Sequence, residues 1–339
     1  MSQNSNEDVT LDSQSDFFVA ICKREKGSHS FIMLGVMQDG KPKILARIGK
    51  LPEFNQTATN AVAIKFATQA IFSYAKSELK NEKINLDFPI NYSAYSIKYD
   101  TYLNFVELLS KVDSVGQIAC YQPKTDDSPR DDSRKIRMSF KDVEKSPGDK
   151  TQEIQRISDN TQQITTSNTC RHTAIELLEY VLGISKVSNN ISRLFFRDLP
   201  VPATFIKGDL QETYFYLPPI PPEQSKFTNV KQFAVLATLY ERMEQLQKKA
   251  PYDPRTIRKF ELLKTLYSQQ ETIFLGNKPE SQLFSEALDA IQTWKTMNER
   301  DLKALRQPSL LGRLFFKAST ITMAEQLEKE LKQQVKHNK

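Results

Sequence analysis

Apolar and polar positions alternate differently in the two halves of this chain. In the first half, "FFVAICKR", "HSFIMLGV" and "PKILARI" are short apolar or alternating runs, joined by "EKGS" and "MQDGK". Runs of this kind read as strands, and the Asp-Gly pair in the second joint signals a tight hairpin. They predict an antiparallel meander from Phe17 to Ile48. Next, "TATNAVAIKFATQAIFSYAKSELKN" sets Ala61, Ile64, Ala67, Ile71 and Tyr74 at helical spacing. "INYSAYSIKYDTYLNFVELLSKV" predicts a strand running into a helix with Asp100 as its N-cap, and "GQIACYQP" a strand that Pro123 ends.

Two stretches break the pattern. Residues 1–16, rich in Ser, Asn and Asp, read as a disordered leader. Residues 124–166 are dominated by charge and small polar side chains, and read as a largely disordered insert with a transient strand around "IRMSF". Beyond them, "TCRHTAIELLEYVLG" has helical spacing and a glycine stop at Gly183. Aromatic-rich "ISRLFFRDLP" and "ETYFYLPPIPP" follow, the last a rigid connector. From Thr228 onward the long segments 228–249, 253–276, 281–306 and 309–335 are all helix-like. The expected organisation is an α+β domain over 17–222 and an all-α domain over 225–339.

Composition narrows the function classes. A hydrophobic share of 39% across 339 residues supports a core for each of two domains. The net charge of +6 is spread through mixed-sign sequence, which predicts no nucleic-acid partner. No apolar run reaches the ~18 residues of a membrane span, so a soluble protein without a transmembrane segment is expected. The polar, acidic start is the opposite of a secretory signal peptide. Ten glycines without GxxxxGK[ST] or GxGxxG argue against phosphate-binding loops, and no cofactor or metal is expected. Three cysteines (Cys22, Cys120, Cys170) and three histidines (His29, His172, His337) make neither a disulfide framework nor a zinc cluster.

The chemistry concentrates where the second-half helix begins. Ser167, Asn168 and Thr169 are N-cap types, so the helix starts within a residue of Cys170. Its expected buried face is Ala174, Leu177, Leu178, Val181 and Leu182. A thiol in the first turn meets the positive end of the helix dipole, which favours the nucleophilic thiolate. The amides at 169–171 are placed to hold an oxyanion. Most cysteines at helix starts are inert small hydrophobes, so the reading needs an imidazole. His172 lies about 200° around the helix from Cys170 and is a poor base. His337 sits in a polar tail, which leaves His29, at the start of the strand "HSFIMLGV". His172 and Glu176 make an HxxxE spacing, most simply an exposed i,i+4 pair. The run "LLGRLFFKAS" at 310–319 reads as a core-facing stripe, with a membrane surface as its alternative.

"HSFIMLG" followed much later by "NTCRHTAIELLEYVLG" resembles the circularly permuted papain-like thiol enzymes of the NlpC/P60 superfamily, which include lecithin:retinol acyltransferase-like proteins and PPPDE peptidases. The resemblance implies a permuted papain-like fold over residues 17–185, with His29 as base and Cys170 as nucleophile. It places Asn168 and Thr169 at the helix start beside the oxyanion, and His172 at the auxiliary Cys-x-His position. Thr169 separates Asn168 from Cys170, and "KPKILARIG" carries no second histidine, so no residue is assigned to orient His29. The whole chain also resembles a paralogous group of Legionella proteins linked to the Dot/Icm type IV secretion system, and Glu325, Glu328 and Glu330 resemble the acidic patch of such secretion signals. That implies secretion into the host cytosol. The implied activity is a cysteine hydrolase or acyltransferase acting on a host protein, ubiquitin-related among the options, or on a lipid. The alternative is a non-enzymatic adaptor that binds a host protein through its helical domain.

Overall fold

The structure, a computed structural model, describes residues 8–26, 29–52, 75–82, 87–114, 116–124, 134–146, 150–165, 167–187, 191–304 and 319–337. The chain divides into two compact units, Met1–Leu217 and Pro218–Lys339. The division falls at the first proline of "LPPIPP", slightly before the expected boundary at 222.

The first unit is mixed α and β with antiparallel sheets. Its elements are β1 (Val9–Asp12), β2 (Phe17–Arg24), β3 (Ser30–Gln38), β4 (Lys41–Pro52), β5 (Ala75–Asn81), β6 (Pro89–Ile97), α1 (Tyr99–Val112), β7 (Ala119–Pro123), β8 (Lys135–Asp142), α2 (Gln152–Thr161), β9 (Gln163–Ile164), α3 (Cys170–Leu182), β10 (Val201–Ile206) and β11 (Asp209–Leu210). The larger sheet runs β11-β10-β6-β2-β3-β4-β5-β9, and the smaller β1-β8-β7. The meander β2-β3-β4 forms as the sequence predicts, with Asp39 and Gly40 both at positive φ in its Asp-Gly turn. Its strands are buried along almost their whole length, and α1 and α3 pack against them.

Several expectations need correction. Within the expected leader the described residues begin at Asp8 and include β1, whose Val9 and Leu11 bury alternate positions against β8. The insert at 124–166 carries β8, α2 and β9 among its described residues. The alternation of "KIRMSF" buries Met138, and Ile154 with Ile157 forms the apolar stripe of α2. The helical pattern centred on Ala61–Tyr74 lies outside the described residues, but its expected tail, Ala75–Asn81, is a strand in which Ser77 and Leu79 point inward. The N-cap of α1 is Lys98, with Asp100 inside the first turn.

The second unit is helical among its described residues: α4 (Val230–Lys248), α5 (Pro254–Phe274), α6 (Glu280–Met297), α7 (Glu299–Lys303) and α8 (Ser319–His337). The expected helix 281–306 is broken at Asn298, whose amide turns back onto the Trp294 carbonyl. Residues 310–318 of "LLGRLFFKAS" lie outside the described residues. No described helix is long and apolar enough to cross a membrane.

Candidate active site

Cys170 is the first residue of α3. Thr169 is its N-cap, with extended backbone, and the left-handed Gly183 closes its C-terminus. The buried face extends beyond the expected residues to Arg171, Thr173 and Ile175, while Val181 is half-exposed. These contacts press α3 onto β3 and β4 and fix the thiol at the point where β3 begins.

There the His29 ring lies close enough to the Cys170 thiol for each to shift the other's protonation. Its Nε2 is 2.5 Å from Glu82 Oε1, so Nδ1 is the ring nitrogen left for sulfur. The backbone N–H of Ser30 donates to Cys170 Sγ at 3.3 Å. The chain therefore gathers sulfur, imidazole and carboxylate at one place, with the carboxylate hydrogen-bonded to the imidazole. Cys170 is half-buried, whereas Cys22 and Cys120 are buried.

Glu82 is the residue that the sequence did not assign. It directly follows β5 and lies 53 positions from His29. Sheet pairing carries it there: β5 runs antiparallel to β4, and β4 to β3. Its N–H donates to the Arg47 carbonyl, and its Oε2 accepts from Arg24 at 2.7 Å and Arg47 at 2.6 Å. Arg47, 1% exposed, also stacks on the Phe31 ring. A carboxylate with three donors is a strong fixed acceptor.

Gly49 makes room for this contact. On β4 it pairs with Phe31 on one side and Lys80 on the other. A Cβ there would stand 2.3 Å from Glu82 Oε1 and 2.8 Å from His29 Nε2.

The electrostatics follow from these contacts. Burial alone would lower the pKa of His29, but its hydrogen bonds to Cys170 and Glu82 outweigh burial and raise it to about 9. Burial alone would raise Cys170, but the His29 hydrogen bond and charge, with the Ser30 amide, bring it below the ordinary thiol value. Burial likewise opposes Glu82 ionisation, yet His29, Arg47 and Arg24 hold it down at about 2. The rise at His29 and the fall at Cys170 both favour an imidazolium–thiolate pair, with the Glu82 carboxylate on the other side of the ring. By contrast, burial pushes Cys120 up to about 12 and Cys22 higher still.

The remaining expected site residues take other roles. His172 Nδ1 meets Thr169 Oγ1 at 3.0 Å and the Thr169 N–H at 3.4 Å. It is therefore part of the helix cap, and burial lowers its pKa further. It does not pair with Glu176, which takes Asn160 and Arg156 instead. The Asn168 side chain is occupied: Nδ2 donates to the Asn160 and Gln163 carbonyls, and Oδ1 accepts from Lys50. Neither Asn168 nor the Thr169 amide is left to face an oxyanion. Among the expected amides, Cys170 and Arg171 N–H remain, at the first two helical positions. Arg171 is fully buried, and its guanidinium holds Ser30 Oγ at 2.8 Å, the Ser192 carbonyl at 3.1 Å and the Arg197 carbonyl at 3.0 Å. It thus braces the amide that touches sulfur. Among the described residues, no cluster of three His, Cys, Asp or Glu is arranged to hold a metal ion.

Comparison with protein-family models, curated proteins and solved structures finds no match to this chain.

Proposed function

We propose that the first unit is a cysteine hydrolase or acyltransferase of the permuted papain-like kind, with Cys170, His29 and Glu82 as its catalytic line. The observation that carries this reading is a partly exposed Cys170 beside a histidine whose Nε2 a buried carboxylate holds, each of the two shifting the other's protonation. In the reaction, the Cys170 thiolate attacks a carbonyl carbon of an amide, thioester or ester. The carbonyl electron pair moves to oxygen, where the Cys170 and Arg171 amides donate to it. His29 Nδ1–H passes its proton to the leaving nitrogen, oxygen or sulfur as the old bond breaks. Neutral His29 then takes a proton from water or an acceptor amine as that nucleophile attacks the thioester, and free thiolate returns. Glu82 stabilises the imidazolium at both ends of the cycle.

The adaptor alternative needs a sealed thiol and an unsupported histidine. The partial exposure of Cys170 and the hydrogen bond of Glu82 weigh against it. The proposed setting, the cytosol of an infected host cell reached by type IV secretion, rests on the likeness to Legionella Dot/Icm substrates. The proposed partner is a host protein, ubiquitin-related among the options, or a lipid, selected with help from the helical unit. The acidic residues compared with a secretion signal lie on α8, where Glu328 is held by Lys295 and Lys332.

p-Nitrophenyl acetate tests the chemistry without knowledge of the substrate. Wild type is expected to release a stoichiometric burst of nitrophenolate and to carry acetyl on Cys170 by mass spectrometry, while Cys170→Ala does neither. Turnover of an alkyl amide substrate, once one is found, is expected to fall as pH rises through about 9, where His29 loses the proton it must donate. No burst and no acetyl on Cys170 would remove the enzyme reading.

A further inference from the structure

Next to Gly49 on β4 stands Lys50, 2% exposed and unused by the chemistry above. Its ammonium donates to the Asn160 carbonyl at 2.5 Å, to Asn168 Oδ1 at 3.0 Å and to Thr173 Oγ1 at 3.1 Å, with the Asn168 carbonyl at 3.3 Å. These four oxygens belong to the end of α2, the residue two before Cys170, and the first turn of α3. Lys50 is therefore the tie between the central sheet and both approaches to the nucleophile. Its hydrogen-bond acceptors are all uncharged, and burying an ammonium among neutral groups is costly unless an anion lies within reach. The anionic groups whose charge it feels are Cys170, as thiolate, and Glu176. Glu176 is already engaged by Asn160 and Arg156.

We propose that Lys50 is a positioning residue for the nucleophile: its buried ammonium locks the start of α3 to β4 and adds positive charge that favours the Cys170 thiolate. This rests on the reading of Cys170 as a nucleophile. A neutral amide donor could serve several of these acceptors without the cost of burying a charge, so a purely architectural role does not call for the ammonium. Burial brings the Lys50 pKa down to about 7, and the negative Cys170 and Glu176 oppose that fall, so thiolate and ammonium stabilise one another.

The experiment compares full-length wild type, Lys50→Met and Lys50→Gln, following Cys170 alkylation by neutral iodoacetamide and anionic iodoacetate across pH. Both variants are expected to move the alkylation midpoint upward by about one pH unit. The iodoacetate-to-iodoacetamide rate ratio is expected to fall severalfold, because the anionic reagent alone senses the lost charge. Lys50→Gln keeps hydrogen-bonding capacity without charge. A wild-type midpoint and ratio in Gln, with loss only in Met, would reduce Lys50 to a hydrogen-bonding strut and overturn the charge. Unchanged midpoints in both variants, or failure of both to fold, would also overturn the proposal. An ordinary thiol titration in wild type would instead sink the active-site reading itself.

Discussion

Glu82→Ala is expected to cost the first unit about 3–5 kcal/mol of stability, the range for removing one partner of a buried ion pair. Both ends of the contact justify the size. Glu82 and Arg47 are 8% and 1% exposed, and deletion strips the carboxylate from a guanidinium already paying for its burial. Against a typical margin of about 5–15 kcal/mol, that is a large fraction. The gap between wild type and variant should depend on pH in a defined way. Glu82 is depressed from 4.5 to about 2, so its contribution is complete above 4.5 and is lost as pH falls through about 2. His29 is raised from 6.5 to about 9, so its contribution is complete below 6.5 and is lost as pH rises through about 9. Urea unfolding should therefore show the widest gap between pH 4.5 and 6.5. A gap below about 1 kcal/mol throughout would show that the buried network contributes little.

Gly49→Ala should damage the site while leaving every reactive group in the sequence. The added Cβ would fall 2.3 Å from Glu82 Oε1 and 2.8 Å from His29 Nε2, well inside contact distance. Something must move, and the strand is paired on both sides, so the carboxylate and the ring separate. Overpacking of this kind costs about 1–3 kcal/mol. The more telling loss is functional: alkylation of Cys170 near pH 6 should drop by about tenfold, as His29 loses the acceptor that helps keep it charged. Thermal unfolding and iodoacetamide kinetics on the same sample separate the two effects. Wild-type alkylation in Gly49→Ala would mean that the His29–Glu82 contact does not control the thiol.

What the sequence discloses of this site depends on the range of each signal. Cys170 and His29 are legible because each opens an element: three cap-forming residues precede one, and an apolar run follows the other. The meander and the helices of the second unit are legible for the same local reason. Glu82 is not. "AKSELKN" reads as the tail of a helix because lysines and a glutamate surround Leu79, and only strand pairing across β4 shows that the next residue turns inward. Gly49 and Lys50 give no signal either. A glycine in an apolar strand and a lysine at its end read as a weak spot and a surface charge, while both are buried beside the site. In the leader and the insert, polar composition conceals two-residue and helical periodicity, so "VTLD" and "QEIQRISDNT" pass for disorder. His172 matches a family position by spacing, but its ring is spent on Thr169.

The most direct test is the rate of Cys170 alkylation by iodoacetamide against pH, in wild type and in His29→Ala. With Cys22 and Cys120 buried, the signal belongs to Cys170. Wild type is expected to titrate well below the free-thiol value of about 8.5. His29→Ala is expected to move that midpoint to or above the free-thiol value. At pH 6 the variant then holds about two to three powers of ten less thiolate, offset by about one power because a more basic thiolate is the better nucleophile. The net fall is about one to two powers of ten. An ordinary thiol midpoint in wild type, unmoved by His29→Ala, would contradict the thiolate–imidazolium pair and make Cys170 a structural residue.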